Sequence, residues 1–401
     1  MPSEIDIDDP RFTQTFVVPP DPASNRNAPV KVTYAECGYR NEQAPEEEHV
    51  VLFFGTMTAS RWLHIGKESL AKVHKVRFIN MDRPGFGGSD DVAVADRMSV
   101  CRAASVALLQ ELGIRHANLA AHSGGVLYAL DFALHHPEML HPDRPYIAMA
   151  GPWILPSHTG VISSSILKML PQGMLNLTDK FAKAMNNYVG PAIGKSFGLS
   201  AALISPFISP PSPDKPDSTT KDVLEIDKKH WKSELSTFRT ADQRLYAENI
   251  RGLNDESLVL LQKAAASGGW SDWGDYDSLI PRLEQVFRSA GKKLRVDVFY
   301  AESDGLIGDE PSKGAEWFDA LWQAPGREDV IEYHRSSIKK ADHDSIWQVR
   351  FGVARKVFEY ISGITEESAG EETAEQNAAD VAGDSGAKPV AGNAAPVPTS
   401  A

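Results

Sequence analysis

The segment Ala121-His122-Ser123-Gly124-Gly125 sets a lone hydroxyl between small residues. Small residues two positions before and two positions after are what a very tight strand-to-helix turn requires. Such a turn strains the serine at its apex and lifts the hydroxyl clear of the backbone. It also leaves the first N–H groups of the following helix unpaired at the positive end of the helix dipole. A hydroxyl held there can attack a carbonyl, and the N–H of Gly124 can receive the oxyanion that forms. The plainer reading is a glycine-rich turn without chemistry, as in a nucleotide-binding unit. The decision rests on whether Ser123 has partners.

A serine at its ordinary pKa needs a base within hydrogen-bond reach, and the base needs a carboxylate to orient it. The sequence offers both further along. An apolar run at 294–300 leads into Ala301-Glu302-Ser303-Asp304-Gly305, an acid followed by glycine at the end of a buried strand. Asp304 is the preferred carboxylate, ahead of Glu302 and Asp309; the alternative is a solvated acidic turn. His343, in Ala341-Asp342-His343-Asp344, follows the last predicted strand and opens the last helix, where a short loop can bring imidazole to Ser123. His334 falls inside that strand, and His135 and His136 end a helix, so these read as structural. His122 is expected to pack beside the site without acting as base.

The elements that would position these groups follow a regular rhythm. Apolar or alternating stretches at 12–18 and 30–36 predict a pair of antiparallel edge strands. Short apolar runs at 50–54, 76–81, 117–121 and 146–150 predict buried strands. Helical spacing at 100–112, stopped by Gly113, and at 124–135 fills the intervals. The rhythm resumes with a strand at 294–300, a helix at 313–322, a strand at 329–334 and a long helix at 345–361 that absorbs Gly352 at minor cost. Alternating strands and helices imply a mostly parallel sheet with helices on both faces. Residues 152–273 differ in character: 162–185 is rich in Leu, Met and Ile, and 206–216 is proline-dense. Too long for a simple connection, this insertion is expected to form a helical cap over the ligand-binding edge of the sheet. The expected organisation is an N-terminal extension (1–27), an α/β core (28–151 and 274–364), the cap (152–273) and an acidic tail (365–401). The tail's Ala, Glu, Gly, Pro and Ser predict disorder.

Composition bounds the function. A formal net charge of -13 disfavours nucleic acid and anionic membranes as partners. Two cysteines, Cys37 and Cys101, are too few for a disulfide framework. With no apolar N-terminal run and no apolar stretch long enough to span a bilayer, the default expectation is a cytoplasmic protein with a small-molecule substrate. On the same ground Asn176-Leu177-Thr178 is not read as a glycosylation site. No cluster of metal ligands is visible, so neither metal nor cofactor is expected, and oligomeric state is not readable.

The Gly55 turn, the stretch Asp82 to Ser89, the Ser123 elbow, Asp304-Gly305 and Asp342-His343-Asp344, in this order, resemble the α/β-hydrolase superfamily over most of 50–361. The departures are Ala121 for the first glycine of the elbow and Phe54 for the histidine before Gly55. The resemblance implies Ser123, Asp304 and His343 as a catalytic triad, and the N–H groups of Gly124 and Thr56 as the oxyanion hole, with Met57 as an alternative donor. It makes Asp82-Arg83-Pro84-Gly85 a structural brace. Met57, His122, Trp270 and Trp273 become candidate substrate contacts, although either tryptophan could equally pack the cap onto the body. A serine nucleophile separates the chain from the haloalkane dehalogenases and epoxide hydrolases of similar architecture, which attack with aspartate.

What this implies is acyl transfer to water, with a medium-sized apolar ester as the first expectation. A thioesterase or peptidase on the same triad is the alternative, the latter needing a cap carboxylate for which Glu225, Glu234 and Glu248 are generic candidates. A non-catalytic binder that keeps the fold is a third.

Overall fold

The computed structural model describes residues 5–24, 26–45, 48–161, 227–263 and 270–365. The Leu/Met/Ile-rich stretch, the proline-dense stretch, Asn176, Glu225 and the acidic tail lie outside the described residues.

Eight strands form one sheet: β1 (Gln14–Val18), β2 (Val30–Gly38), β3 (His49–Phe54), β4 (Val76–Met81), β5 (Asn118–His122), β6 (Tyr146–Ala150), β7 (Leu294–Ser303) and β8 (Ile331–Asp342). Their spatial order is β1-β2-β4-β3-β5-β6-β7-β8. The pairs β1–β2 and β2–β4 are antiparallel, and every pair from β4–β3 to β7–β8 is parallel. The helices are α1 (Glu68–Val73), α2 (Arg97–Glu111), α3 (Gly125–His135), α4 (Pro156–Thr159), α5 (Lys228–Ala247), α6 (Gly252–Leu260), α7 (Tyr276–Ser289), α8 (Lys313–Trp322) and α9 (Val353–Ser362).

The central strands are largely apolar because both faces are covered, with Arg77, Asn80, Asn118 and His122 as buried polar exceptions. Along β3, Val50, Leu52 and Phe54 belong to one core, with Val100, Leu108, Leu127, Leu283 and Phe318 from α2, α3, α7 and α8. Val51 and Phe53 belong to the other, with Leu70, Trp231, Val357 and Phe358 from α1, α5 and α9. The period-2 alternation of a strand thus feeds two cores at once.

The structure differs from the sequence reading in five places. Of the two antiparallel strands only β1 is an edge, since β2 pairs on both sides. Strand β8 runs to Asp342, well past 334, because parallel pairing to β7 continues to Ser303 with an irregularity near Ala301. The final helix is not continuous from 345. A short 3-10 turn at Val349–Phe351 ends at Gly352, whose φ of 71° is left-handed, and α9 starts only beyond it. Gly352 is therefore a break, not an absorbed cost: an L side chain there would pay the left-handed penalty. Finally, α1 has no counterpart among the predicted elements, and neither has α7. Asp275 caps it, its side chain accepting from Tyr276 N–H, and it buries Leu279, Ile280, Leu283 and Phe287 at helical spacing despite an internal Pro281.

Candidate active site

Parallel strands end on a common edge, and three of these ends matter. Ser123 is the residue after β5, Asp304 the residue after β7 and His343 the residue after β8. Residues 220 apart are thereby brought into contact: Ser123 Oγ lies 2.8 Å from His343 Nε2. His343 Nδ1 lies 2.7 Å from Asp304 Oδ2. A carboxylate can only accept, so Nδ1 carries the proton and Nε2 is left to accept from the serine hydroxyl. Ser123, Asp304 and His343 are 5%, 1% and 2% exposed, so the chain of bonds is shielded from competing water.

Each member is fixed by its own element. Ser123 has φ 54°, a left-handed conformation that costs a non-glycine residue about 1–2 kcal/mol. The surroundings hold it there: its N–H donates to Ala150 O at 3.1 Å, and its carbonyl accepts from Val126 N at 3.1 Å and Trp153 N at 3.2 Å. Asp304 Oδ1 accepts from Leu306 N at 2.9 Å and Ile307 N at 3.1 Å, which leaves Oδ2 for the imidazole. The two acids nearby in the chain have different tasks. Asp309 accepts from Asp304 N–H at 2.8 Å and shapes the turn. Glu302 accepts from Lys339 and Lys340 on the sheet edge. On the histidine loop, Ser345 N donates to Asp342 Oδ1 at 2.9 Å, and Asp342 N donates to Ser345 Oγ at 3.1 Å.

Electrostatics follow from this arrangement. Burial opposes a charge on His343, but the Asp304 carboxylate outweighs it and raises the imidazole above its ordinary value. Burial likewise opposes ionisation of Asp304, and His343 with the two backbone N–H groups reverses this and holds the carboxyl below its usual range. The pair therefore favours carboxylate beside imidazolium, the state reached once the imidazole has taken a proton from the serine.

The strand order with its two antiparallel strands at one end, and a serine, an aspartate and a histidine at the ends of β5, β7 and β8, decide the architecture. This is the α/β-hydrolase fold. No protein-family model matches the chain, and no curated protein is similar to it. Solved structures similar to it include a hydrolase from Pseudomonas aeruginosa, at 15% identity over 84% of this chain and 95% of that one with a TM-score of 0.46. A thermophilic esterase from Thermogutta terrifontis shares 13% identity over 87% and 98% of the two chains, TM-score 0.49. An epoxide hydrolase from Vigna radiata shares 15% over 88% and 99%, TM-score 0.48. The assignment of the α/β-hydrolase fold rests on the strand order, not on these likenesses.

The remaining site candidates divide. Thr56 and Met57 follow β3 and are half-buried, and Gly124 follows the serine. Among the described residues, no acceptor takes the backbone N–H of Thr56 or Gly124, so both donors are available. Met57 touches the insertion, its sulfur 3.6 Å from Ser257 Oγ. The other three candidate substrate contacts are buried and hydrogen-bonded within the protein. His122 is 2% exposed and its Nε2–H donates to His343 O at 2.7 Å, so it buttresses the histidine loop. Burial, reinforced by His343, pushes His122 down to about 3, which keeps it a neutral donor. Trp270 and Trp273 are 1% and 2% exposed in the core around Tyr276. Their indole N–H groups are engaged by Val259 O and Asp131 Oδ1, at 2.8 and 2.9 Å. A tryptophan buried in an apolar core spends its single donor on a fixed partner, as both do here.

Two further side chains hold backbone beside these residues, one of them in the turn that the sequence reading took as a structural brace. Arg83 donates to Gly55 O at 2.8 Å and also to Thr56 O. Trp347 Nε1 donates to Ala121 O at 3.2 Å, pinning the strand before the elbow. The sequence marks the turn that carries the arginine but not the carbonyls it reaches; nothing in the sequence marks the tryptophan. The side chains of Glu234 and Glu248 are engaged by Lys67 and Arg61. Neither is set aside for a substrate amine. Among the described residues no helix is long and apolar enough to cross a membrane.

Proposed function

We propose that the protein is a serine hydrolase that transfers an acyl group from an ester to water. The carrying observation is the unbroken hydrogen-bond chain from Ser123 through His343 to Asp304 with the serine in a left-handed conformation. In this reading Ser123 Oγ attacks the ester carbonyl while His343 Nε2 takes its proton, and Asp304 stabilises the imidazolium. The carbonyl oxygen becomes an oxyanion received by the N–H groups of Gly124 and Thr56. Collapse breaks the C–O bond, and His343 returns the proton to the departing alkoxide. A water then attacks the acyl-enzyme through the same base and frees the acid. Met57 and Leu260, apolar groups beside Thr56 and Gly124, support an apolar acyl substrate over a charged one. The occupation of Glu234 and Glu248 favours ester over aminopeptidase chemistry.

The test is labelling with a fluorophosphonate, which forms a covalent bond to an activated serine. Native protein should label, and Ser123→Ala and His343→Ala should not. A screen of 4-nitrophenyl esters, thioesters and anilides then fixes the leaving group. Folded native protein that stays unlabelled and inert refutes the proposal and leaves the fold as a binding scaffold.

A further inference from the structure

Helix α6, contributed by the insertion, touches both sides of the site. At one end Leu260 packs on Gly124, where an added Cβ would meet its Cδ2 at 2.8 Å. One turn earlier, at the middle of the helix, Glu256 is fully buried between Arg83 and Arg97, with Arg83 Nε at 3.1 Å and Arg97 Nη2 at 2.7 Å. Tyr128 of α3 donates its hydroxyl to the same carboxylate at 2.9 Å, and its ring lies 4.6 Å beneath the Arg83 guanidinium. Burial alone would raise the Glu256 carboxyl, but the two arginines outweigh it and hold it lowered and therefore charged.

The remaining nitrogens of Arg83 reach the carbonyls of Gly55 and Thr56. In a planar trans peptide the C=O and the next N–H point in opposite directions. Fixing the Gly55 carbonyl on Arg83 therefore fixes the Thr56 N–H on the opposite side, and fixing the Thr56 carbonyl does the same for the Met57 N–H. The guanidinium is a planar fork, able to serve a carboxylate and two carbonyls at once, which a lysine ammonium cannot do in fixed geometry.

We propose that Arg83 and Glu256 are positioning residues, through which helix α6 sets the orientation of the oxyanion loop at Gly55–Thr56. This rests on the hydrolase reading above. Displacing the loop's donors by about an ångström is expected to cost about 10- to 100-fold in rate. Because the donors act on charge that develops during reaction, the loss falls on kcat and leaves KM nearly unchanged.

The experiment compares native protein with Arg83→Lys, Glu256→Gln and Tyr128→Phe on 4-nitrophenyl butyrate. Active sites are titrated by fluorophosphonate, and affinity for a boronic acid, which forms a tetrahedral adduct on serine, is measured alongside. The expected result is a fall in kcat per titrated site, a parallel fall in boronate affinity and a steady KM. Tyr128→Phe, which removes one hydrogen bond and keeps the ring, should show a smaller fall in the same parameters. It decides the matter if the other two variants do not fold. A lower fraction of active sites with native kcat per site would mean that the cluster only stabilises the fold, and would overturn the proposal. Native kcat in folded variants would do the same. Native protein that neither labels nor hydrolyses would instead overturn the hydrolase reading, and this proposal with it.

Discussion

Replacing Gly125 by alanine adds one methyl group at the place where the elbow crosses the end of β3. A Cβ built at Gly125 would lie 2.1 Å from Phe54 O, 2.4 Å from Gly55 O and 2.6 Å from Phe54 C. All three are backbone atoms of the strand end that leads into Thr56, so no rotamer change relieves the clash. Restoring ordinary contact at 3.4 Å means moving backbone apart by 3.4 − 2.1 = 1.3 Å. The energetic cost is of the overpacking kind, about 1–3 kcal/mol or more. The movement also shifts the candidate oxyanion donor, and a misplacement of about an ångström is worth about 100-fold in rate. Gly124→Ala is the control next door: its Cβ would meet Leu260 Cδ2 at 2.8 Å, the end of a flexible side chain that can rotate away. Urea denaturation and the rate of fluorophosphonate labelling check both variants. Gly125→Ala should lose stability and label about 100-fold more slowly, with Gly124→Ala less affected in both. A Gly125→Ala protein with native stability and native labelling rate would refute the reasoning.

Four further outcomes are expected. In the proposed mechanism the neutral imidazole is the base, so kcat/KM should fall as pH drops through the His343 pKa, with a midpoint above 6.5 because Asp304 raises it. In Asp304→Asn the largest raising influence is gone and burial is opposed only by Asp344 and Asp342, so a pH–rate profile should show that midpoint moving down, with kcat lower by about 10⁴. His122, pushed down to about 3, stays neutral in the folded state, whereas the unfolded chain takes up a proton near 6.5. Its contribution is intact above that pH and is lost as pH falls from 6.5 towards 3. At most this costs about 1.4 kcal/mol per pH unit, and His122→Asn should flatten the acid slope in urea titrations at about pH 6.5 and 4.5. Lys67 and Glu234 have side chains 1% and 7% exposed and are paired at 2.8 Å, with Glu234 also accepting from Val349 N at 2.7 Å. Glu234→Met leaves a buried ammonium without a carboxylate, held only by His64 Nδ1 at 2.9 Å, and should cost about 3–5 kcal/mol in thermal or urea unfolding.

The strand–helix rhythm, the elbow around Ser123 and the order of serine, acid and histidine were legible in the sequence because each is written locally. A buried strand is a short apolar run, a tight turn needs small residues at set offsets, and a glycine ends a helix. Asp304 and His343 could be chosen because parallel topology forces strand ends to one edge, which makes position in the chain a proxy for position in space. The break at Gly352 was local too, yet the apolar spacing of Ile346, Val349, Val353 and Val357 spans it, and periodicity outweighed the glycine. The roles of His122, Trp270 and Trp273 were decided only by tertiary structure. Whether a buried ring faces a ligand or spends its N–H on a carbonyl depends on partners such as His343 O, Val259 O and Asp131, one of them 221 residues away. The same holds for Arg83: its neighbours in the chain describe a turn, and only folding brings Glu256 against it, 173 residues on. Sequence determines which residues can do chemistry and which strand end each follows. Orientation and electrostatic setting come from contacts between distant segments, which no local pattern encodes.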